Sequence, residues 1–400
     1  MGTIHRQQNL DLFIESNDRL SPKVAAAIET LSCQGGIEAR GAIFTRREVV
    51  DFILDLVGYT NDRQLHEKRL LEPSFGGGDF LLAAVERLLA AWQLTKKARS
   101  ALEDLGDAIR AVELHRETFL ATRSAVIGYL LSKGIPGQNA TALVDRWLIQ
   151  GDYLLAPLHN QFDFIVGNPP YVRQELIPAP LLAEYRSRYS TLYDRADLYV
   201  PFIERSLLLL ADKGNLGFIC ADRWMKNRYG GPLRKLVSEK FHLKAYVDMV
   251  DTPAFHSEVI AYPAITIISR ENHGSTKIAH RPSIDRKTLV ALAHGLRAKT
   301  LPKERKDIRE LANVTNGTEP WLLESVDQMA LLRRLELAFP TIEEAGCKVG
   351  IGVATGADKA FIGDFDSLDV EPERKLPLVG TRDILTGDVL GGDVLGGDIA

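Results

Sequence analysis

The residues with the most chemical content are Asn168-Pro169-Pro170-Tyr171, placed directly after the apolar run Phe162 to Gly167. Two prolines lock φ and remove two main-chain donors, so they make a rigid projecting corner. An asparagine there offers its side-chain oxygen as an acceptor, and the carbonyl of Pro169 can offer another. Two acceptors are what an amino group with two N–H donors requires. Gripping both hydrogens draws the nitrogen lone pair out of ring conjugation and aims it at an electrophile. Tyr171 then supplies a flat face for the ring. No general base is needed first, because the amine sheds its proton after attack. Asn-Pro also starts ordinary turns. At average residue usage, however, the tetrapeptide arises by chance in roughly one such chain in a thousand, which favours the chemical reading.

A second constellation runs from Glu72 through Pro73, Ser74, Phe75, Gly76, Gly77 and Gly78 to Asp79 and Phe80. Glycines between a strand and a helix let a ligand approach the main chain closely. The spacing matches neither a dinucleotide fingerprint nor a phosphate-binding loop. Glu113 ends the next candidate strand, where an acid can accept from both ribose hydroxyls of a nucleoside. Asp152 ends the one after, and reads equally as an acceptor for an adenine amine or as a turn cap. Taken singly these are weak signals. Their order, with each at the end of a strand, strengthens all of them.

The elements that must position them alternate. Strand candidates span 69–74, 108–114, 147–153, 162–168, 215–222, 243–250 and 264–270, several as continuous apolar runs. Amphipathic stretches lie between them: Phe80 to Trp92, Glu117 to Lys133, Leu198 to Ala211 and Pro232 to Phe241. Such alternation predicts a doubly wound α/β sheet, whose ligands bind beyond the carboxyl ends of the strands.

Composition sets the outer bounds. A chain of 400 residues allows two or three domains. The expected divisions are a helical extension over 1–40, a catalytic domain over 41–272, a linker and partial recognition region over 273–384, and a Gly/Asp-rich mobile tail over 385–400. The net charge of −4 gives no global basic signature, so any cation surface must be local. Between Lys277 and Arg309 ten Lys/Arg stand against three Asp/Glu, a stretch expected to bind nucleic acid weakly and with salt sensitivity. From Asp364 onward nine acids face three bases, a balance that repels phosphates. Three scattered cysteines give no metal spacing and fit a reducing compartment. The first residues lack an apolar signal-like run, and no run is long enough for a membrane span, so a cytoplasmic, membrane-free protein is expected.

The motif set resembles the N-6 adenine-specific DNA methyltransferases of type II restriction–modification systems, in the order with cofactor motifs first and target recognition last. Gly41 to Leu54 resembles their upstream cofactor motif, with Phe44 and Thr45 kept and Arg46 where the family usually has proline. Glu72 to Phe80 resembles the first cofactor motif. Glu113 falls at the ribose acid, Asp152 near the cofactor adenine, and Asn168 to Tyr171 on the catalytic motif. The resemblance implies a Rossmann-like S-adenosylmethionine-dependent methyltransferase with a seven-stranded mixed sheet, helices on both faces and an antiparallel last strand. It further implies that S-adenosylmethionine contacts Phe44, Thr45, Glu72, Pro73, Ser74, Phe75, Gly76, Gly78, Glu113, Asp152 and Asn168. Asn168, Pro169, Pro170 and Tyr171 would carry the chemistry on a flipped adenine, with Tyr171 and Phe255 stacking on the base. Implied partners are double-stranded DNA and a cognate restriction endonuclease or specificity subunit, with no metal. Gly350 to Lys359 and Val379 to Ile384 resemble the start of a recognition domain, here expected to be truncated. Alternatives are a protein-glutamine or RNA adenine methyltransferase using the same corner, and an inactive DNA-binding subunit of a defence complex.

Overall fold

The computed structural model describes residues 20–33, 43–94, 100–158, 161–257, 262–301, 305–321 and 323, and beyond these 331, 334–335, 337–348, 361–377, 384–385, 388–389 and 394–396. By contacts the chain forms two units, 1–323 and 324–400.

The first unit is built on one mixed sheet. Its strands are β1 (Leu70–Glu72), β2 (Ile109–Glu113), β3 (Leu148–Gln150), β4 (Phe162–Gly167), β5 (Leu210–Ala221), β6 (His242–Asp248), β7 (Pro263–Ser269), β8 (Thr276–His280) and β9 (Arg309–Leu311). They lie in the order β3-β2-β1-β4-β5-β7-β6-β8-β9. Neighbours from β3 to β5 are parallel, and β7 runs antiparallel between β5 and β6. From β1 the chain winds one way through β2 and β3, then returns to β4 on the other side. The crevice between β1 and β4 is therefore the switch point at which such sheets hold ligands.

Alternating side chains feed two cores. Phe164 and Val166 of β4 enter one, Phe162 and Ile165 the other. Helices α2 (Arg47–Val57), α3 (Asp79–Gln93), α4 (Ala101–Leu105), α5 (Arg116–Ser132) and α6 (Gly137–Trp147) cover the first face. Helices α1 (Pro22–Cys33), α7 (Ala179–Arg188), α8 (Tyr199–Leu209), α9 (Arg223–Lys226) and α10 (Gly231–Lys240) cover the second, and α11 (Arg286–Arg297) returns to the first. β7 is buried at all seven positions, which suits its β-branched Ile and Thr content.

The sheet departs from the sequence expectation in extent. Seven strands fall where the apolar runs placed them. Two more, β8 and β9, lie in the stretch read as linker, so nine strands pair in this sheet among the described residues. Lys277 concealed β8. Its stem is buried in the strand while its ammonium donates to the carbonyl of Ala298. The helix expected to run to Ala211 instead stops at Leu209, and β5 begins at Leu210.

In the second unit Val394–Gly396 pairs antiparallel with Ile362–Gly363 and with Lys375–Pro377, and Ile384–Leu385 pairs with Asp388–Val389. The segment read as a mobile tail thus contributes main-chain ladders, which need no core of their own. The recognition-like stretch Gly350 to Lys359 and most of Val379 to Ile384 lie outside the described residues.

Candidate active site

β1 delivers Glu72 to the carboxyl edge, and the glycine turn follows. The Phe75 N–H donates to the Val112 carbonyl at 3.0 Å, folding the turn against β2. Gly76 and Gly78 hold φ of +49° and +89°, left-handed values that favour glycine. A Cβ on Gly77 would sit 3.1 Å from the Phe44 ring, whereas one on Gly76 would meet nothing within 4 Å. Open space thus lies over Gly76, bounded by close packing beside it. Asp79 opens α3 and accepts from the Thr45 N–H at 2.9 Å, tying the upstream segment to the glycine turn.

Glu113, at the end of β2, is 6% exposed. Its Oε2 accepts from the Gly76 N–H at 2.9 Å and its Oε1 from the His115 N–H at 2.8 Å. It therefore braces the turn at the edge of the cavity, which it helps to line. Asp152 is buried beyond β3. It accepts from the Leu154 N–H at 2.8 Å and from the Tyr185 hydroxyl. Burial pushes its carboxyl up, against the pull of that hydroxyl. Buried Arg205 donates to the carbonyls of Tyr153 and Ala156, fixing the loop that carries Asp152.

The upstream segment is clamped from the other side of the site. Thr45 bridges antiparallel to Phe255, the Arg46 N–H donates to the Ala254 carbonyl at 3.0 Å, and the His256 N–H donates to the Phe44 carbonyl at 3.1 Å. Arg46 Nε also reaches the Phe255 carbonyl at 3.1 Å. The missing proline does not displace the helix: α2 starts at Arg47, with Arg46 as its cap at φ −63°, the value a proline ring would impose.

Asn168 leaves β4 into the crevice. Its Nδ2 donates to the Ile43 carbonyl at 2.9 Å and to Thr45 Oγ1 at 3.4 Å. That fixes the amide with Oδ1 on the opposite side, buried and without a partner among the described residues. Oε2 of Glu72 is likewise buried and unpartnered, on a residue 1% exposed. Burial, with Asp79 and Glu113 nearby, pushes its carboxyl well above the usual range. A buried carboxylate in this state is complemented by a cation.

A cavity of about 470 Å³ joins these groups. It is lined by Phe44, Thr45, Glu72, Pro73, Ser74, Phe75, Gly76, Glu113, Asp152, Asn168 and Pro170, all residues that the sequence reading named. It is lined as well by Asp79, which that reading placed in the glycine constellation without a contact role, and by His115 and Tyr185, which it missed. Asp79 was visible in principle, as an acid in the first turn after the glycines. Nothing in the sequence ties Tyr185, on α7, to Asp152. Gly78, Pro169, Tyr171 and Phe255 do not line the cavity. Gly78 caps α3 beneath it. The Tyr171 ring packs at 6.4 Å from Tyr199, its hydroxyl buried without a partner among the described residues. Phe255 belongs to the core, 7% exposed, and serves Thr45 through its main chain. Stacking on a base requires its ring to turn out of that core.

The donor set fits S-adenosylmethionine. The unpartnered Glu72 oxygen suits an ammonium, the braced Glu113 suits vicinal hydroxyls, and the open space over Gly76 admits a ligand to the main chain. Among the described residues no helix is long and apolar enough to cross a membrane.

Residues 129–255 match the family model described as the Eco57I restriction-modification methylase. The chain is 74% identical over 364 residues to the type II methyltransferase M.PaeR7I of Pseudomonas aeruginosa, covering 91% of this chain and 63% of that one. It is 54% identical over 359 residues to the type II methyltransferase M.XhoI of Xanthomonas vasicola, covering 88% and 65%. The chain thus spans less than two thirds of the length of these curated relatives. Among solved structures, the type I restriction-modification system methyltransferase subunit from Streptococcus thermophilus superposes with a TM-score of 0.51 at 15% identity, over 70% of this chain and 59% of that one, a likeness of fold.

Proposed function

We propose that the chain, similar over most of its length to type II methyltransferases and matching in part the model of a restriction-modification methylase, belongs with them and methylates the exocyclic amine of adenine in DNA. The observation that carries this reading is the fixed Asn168 amide. Its nitrogen is occupied by Ile43 and Thr45, so its buried oxygen is the group left to accept a hydrogen bond at the corner. An amine held by that oxygen and by the Pro169 carbonyl has both hydrogens engaged and its lone pair directed away from the ring. S-adenosylmethionine would supply the electrophilic sulfonium methyl. Glu72 would hold the ammonium end of that molecule, Glu113 the ribose hydroxyls and Asp152 the adenine amine. An adenine cannot reach the crevice from within a duplex, so it is extruded, at a cost of a few kcal/mol. The partners of this reading are duplex DNA and a cognate endonuclease or specificity subunit.

The test is nucleoside analysis by mass spectrometry of DNA from cells expressing the chain, beside cells expressing Asn168→Ala. N6-methyladenine that depends on Asn168 is the expected result. Methylation confined to cytosine, or the same N6-methyladenine level with the variant, overturns the reading.

A further inference from the structure

Three neighbouring strands meet at the carboxyl edge beside the catalytic corner. β4 runs into Asn168, β5 runs into Asp222 and Arg223, and antiparallel β7 starts just after Tyr262. Ala221 pairs with Pro263, and the Asp222 N–H donates to the Tyr262 carbonyl at 3.1 Å. The guanidinium of Arg223 lies over the Tyr262 ring, 5.5 Å from its centre, and Tyr262 is 56% exposed. Two residues past Tyr171 stands exposed Arg173. Its segment is held by the Leu198 N–H, which donates to the Val172 carbonyl at 3.0 Å. Half-buried Asp197 feels both arginines. Among the described residues, however, neither guanidinium forms an ion pair, whereas nearby Lys226 is paired with Asp222 at 3.0 Å.

A guanidinium stacked on a ring uses only its face. The N–H fork in its plane stays free for an oxyanion that can accept two parallel bonds, as a phosphate can. The basic stretch from Lys277 to Arg309 is less available than its composition suggests. Lys277 bonds the Ala298 carbonyl, Arg281 pairs with Asp248 and Asp251, and Arg305 pairs with Asp307. In a chain of net charge −4, local unpaired cations beside the corner are what an approaching polyanion meets.

We propose that Arg173 and Arg223 clamp DNA backbone phosphates beside the extruded nucleotide, with Tyr262 holding the Arg223 guanidinium by its face. This rests on the reading that DNA is the substrate.

The experiment titrates the 400-residue chain into a fluorescently labelled duplex across a series of salt concentrations, with cofactor affinity measured by calorimetry as a check on folding. Arg173→Ala and Arg223→Ala should each flatten the dependence of log affinity on log salt by about 0.9, the value of one phosphate contact on duplex DNA. Cofactor affinity should stay at the parent value. Arg223→Lys should keep the slope, and Tyr262→Leu should weaken binding with the slope intact. Alanine variants with the parent slope overturn the clamp and leave the DNA reading standing. A parent chain with no salt-dependent affinity for DNA overturns both.

Discussion

The Asn168 amide nitrogen bonds the Ile43 carbonyl at 2.9 Å across 125 residues of sequence, so the upstream segment and the catalytic corner set each other's geometry. This bond decides which end of the amide faces the crevice. Asn168→Ala should therefore abolish an acceptor used in the reacting complex and, with the bonds to Ile43 and Thr45 lost, loosen one wall of the cavity. We expect methyl transfer to fall by at least about 100-fold, on the scale of losing one positioned hydrogen-bonding group at a reacting centre. Cofactor affinity should fall far less than turnover. Labelled-methyl incorporation and calorimetry measure the two. Near-parental turnover would remove Asn168 from the chemistry.

Most of the frame was legible because buried strands are written as continuous apolar runs that end in chemistry. Glu72, Glu113, Asp152 and Asn168 each close such a run, and all four line the cavity. What the sequence hid were contacts between elements. Tyr185 reaches Asp152 from 33 residues away, and Phe255 meets Thr45 from 210 residues away. No local pattern encodes either. A lone aromatic also looks alike whether it packs inward, as Phe255 does, or faces a ligand. β8 was hidden by Lys277, whose charge reads as surface although its stem is buried.

Glu113 has two jobs in this geometry, bracing the glycine turn and accepting from a ligand. Glu113→Ala should weaken cofactor binding by about 1.5–3 kcal/mol, the range for hydrogen bonds to a charged group. That corresponds to roughly 10- to 150-fold in Kd. Glu113→Gln can keep one acceptor and should lose less. Equal affinity in parent and alanine variant, measured by calorimetry, would make Glu113 a structural brace alone.

Glu72 links pH to both stability and binding. Its folded carboxyl is raised above the ordinary value by burial, then by Asp79 and Glu113. The protonated form is therefore the one the ligand-free fold prefers. Its contribution to stability is complete below the ordinary glutamate range and is lost as pH rises through the raised value. Glu72→Gln should thus raise the Tm of the ligand-free protein at neutral pH, by a few degrees, and flatten its pH dependence. The same change should weaken cofactor binding, because a cationic ligand favours the ionised acid. Thermal melts across pH, with and without S-adenosylmethionine, separate the two effects. A variant less stable than the parent at neutral pH would show that Glu72 is ionised and satisfied in the free protein.

Phe255 sits in the core, so its truncation should cost stability first. Phe255→Ala is expected to lose about 3–5 kcal/mol, as large-to-small aromatic changes in cores do, while Phe255→Leu loses less. Denaturant melts give these values. A 2-aminopurine probe at the target position reports extrusion in parallel. An alanine variant as stable as the parent, yet unable to raise the probe's fluorescence, would mean the ring leaves the core to stack on the base.

Arg46 offers the sharpest separation of helix start from clamp. Its φ of −63° is already the proline value, so Arg46→Pro should leave α2 beginning at Arg47. The preceding residue, Thr45, is in an extended bridge, which a following proline tolerates. What the change removes is the main-chain N–H bonded to Ala254 at 3.0 Å and the Nε bonded to Phe255 at 3.1 Å. At about 0.5–1.5 kcal/mol for each bond, the variant should lose about 1–3 kcal/mol of stability, less whatever proline returns by stiffening the unfolded chain, about 0.4–1 kcal/mol. Cofactor affinity should fall modestly, because Phe44 and Thr45 are held against the cavity by this bridge. Arg46→Ala keeps the N–H and should lose only the side-chain share. Denaturant melts and calorimetry on both variants test the assignment. Equal losses in the two would place all of the clamp in the guanidinium, and no loss in either would leave the bridge between Thr45 and Phe255 sufficient by itself.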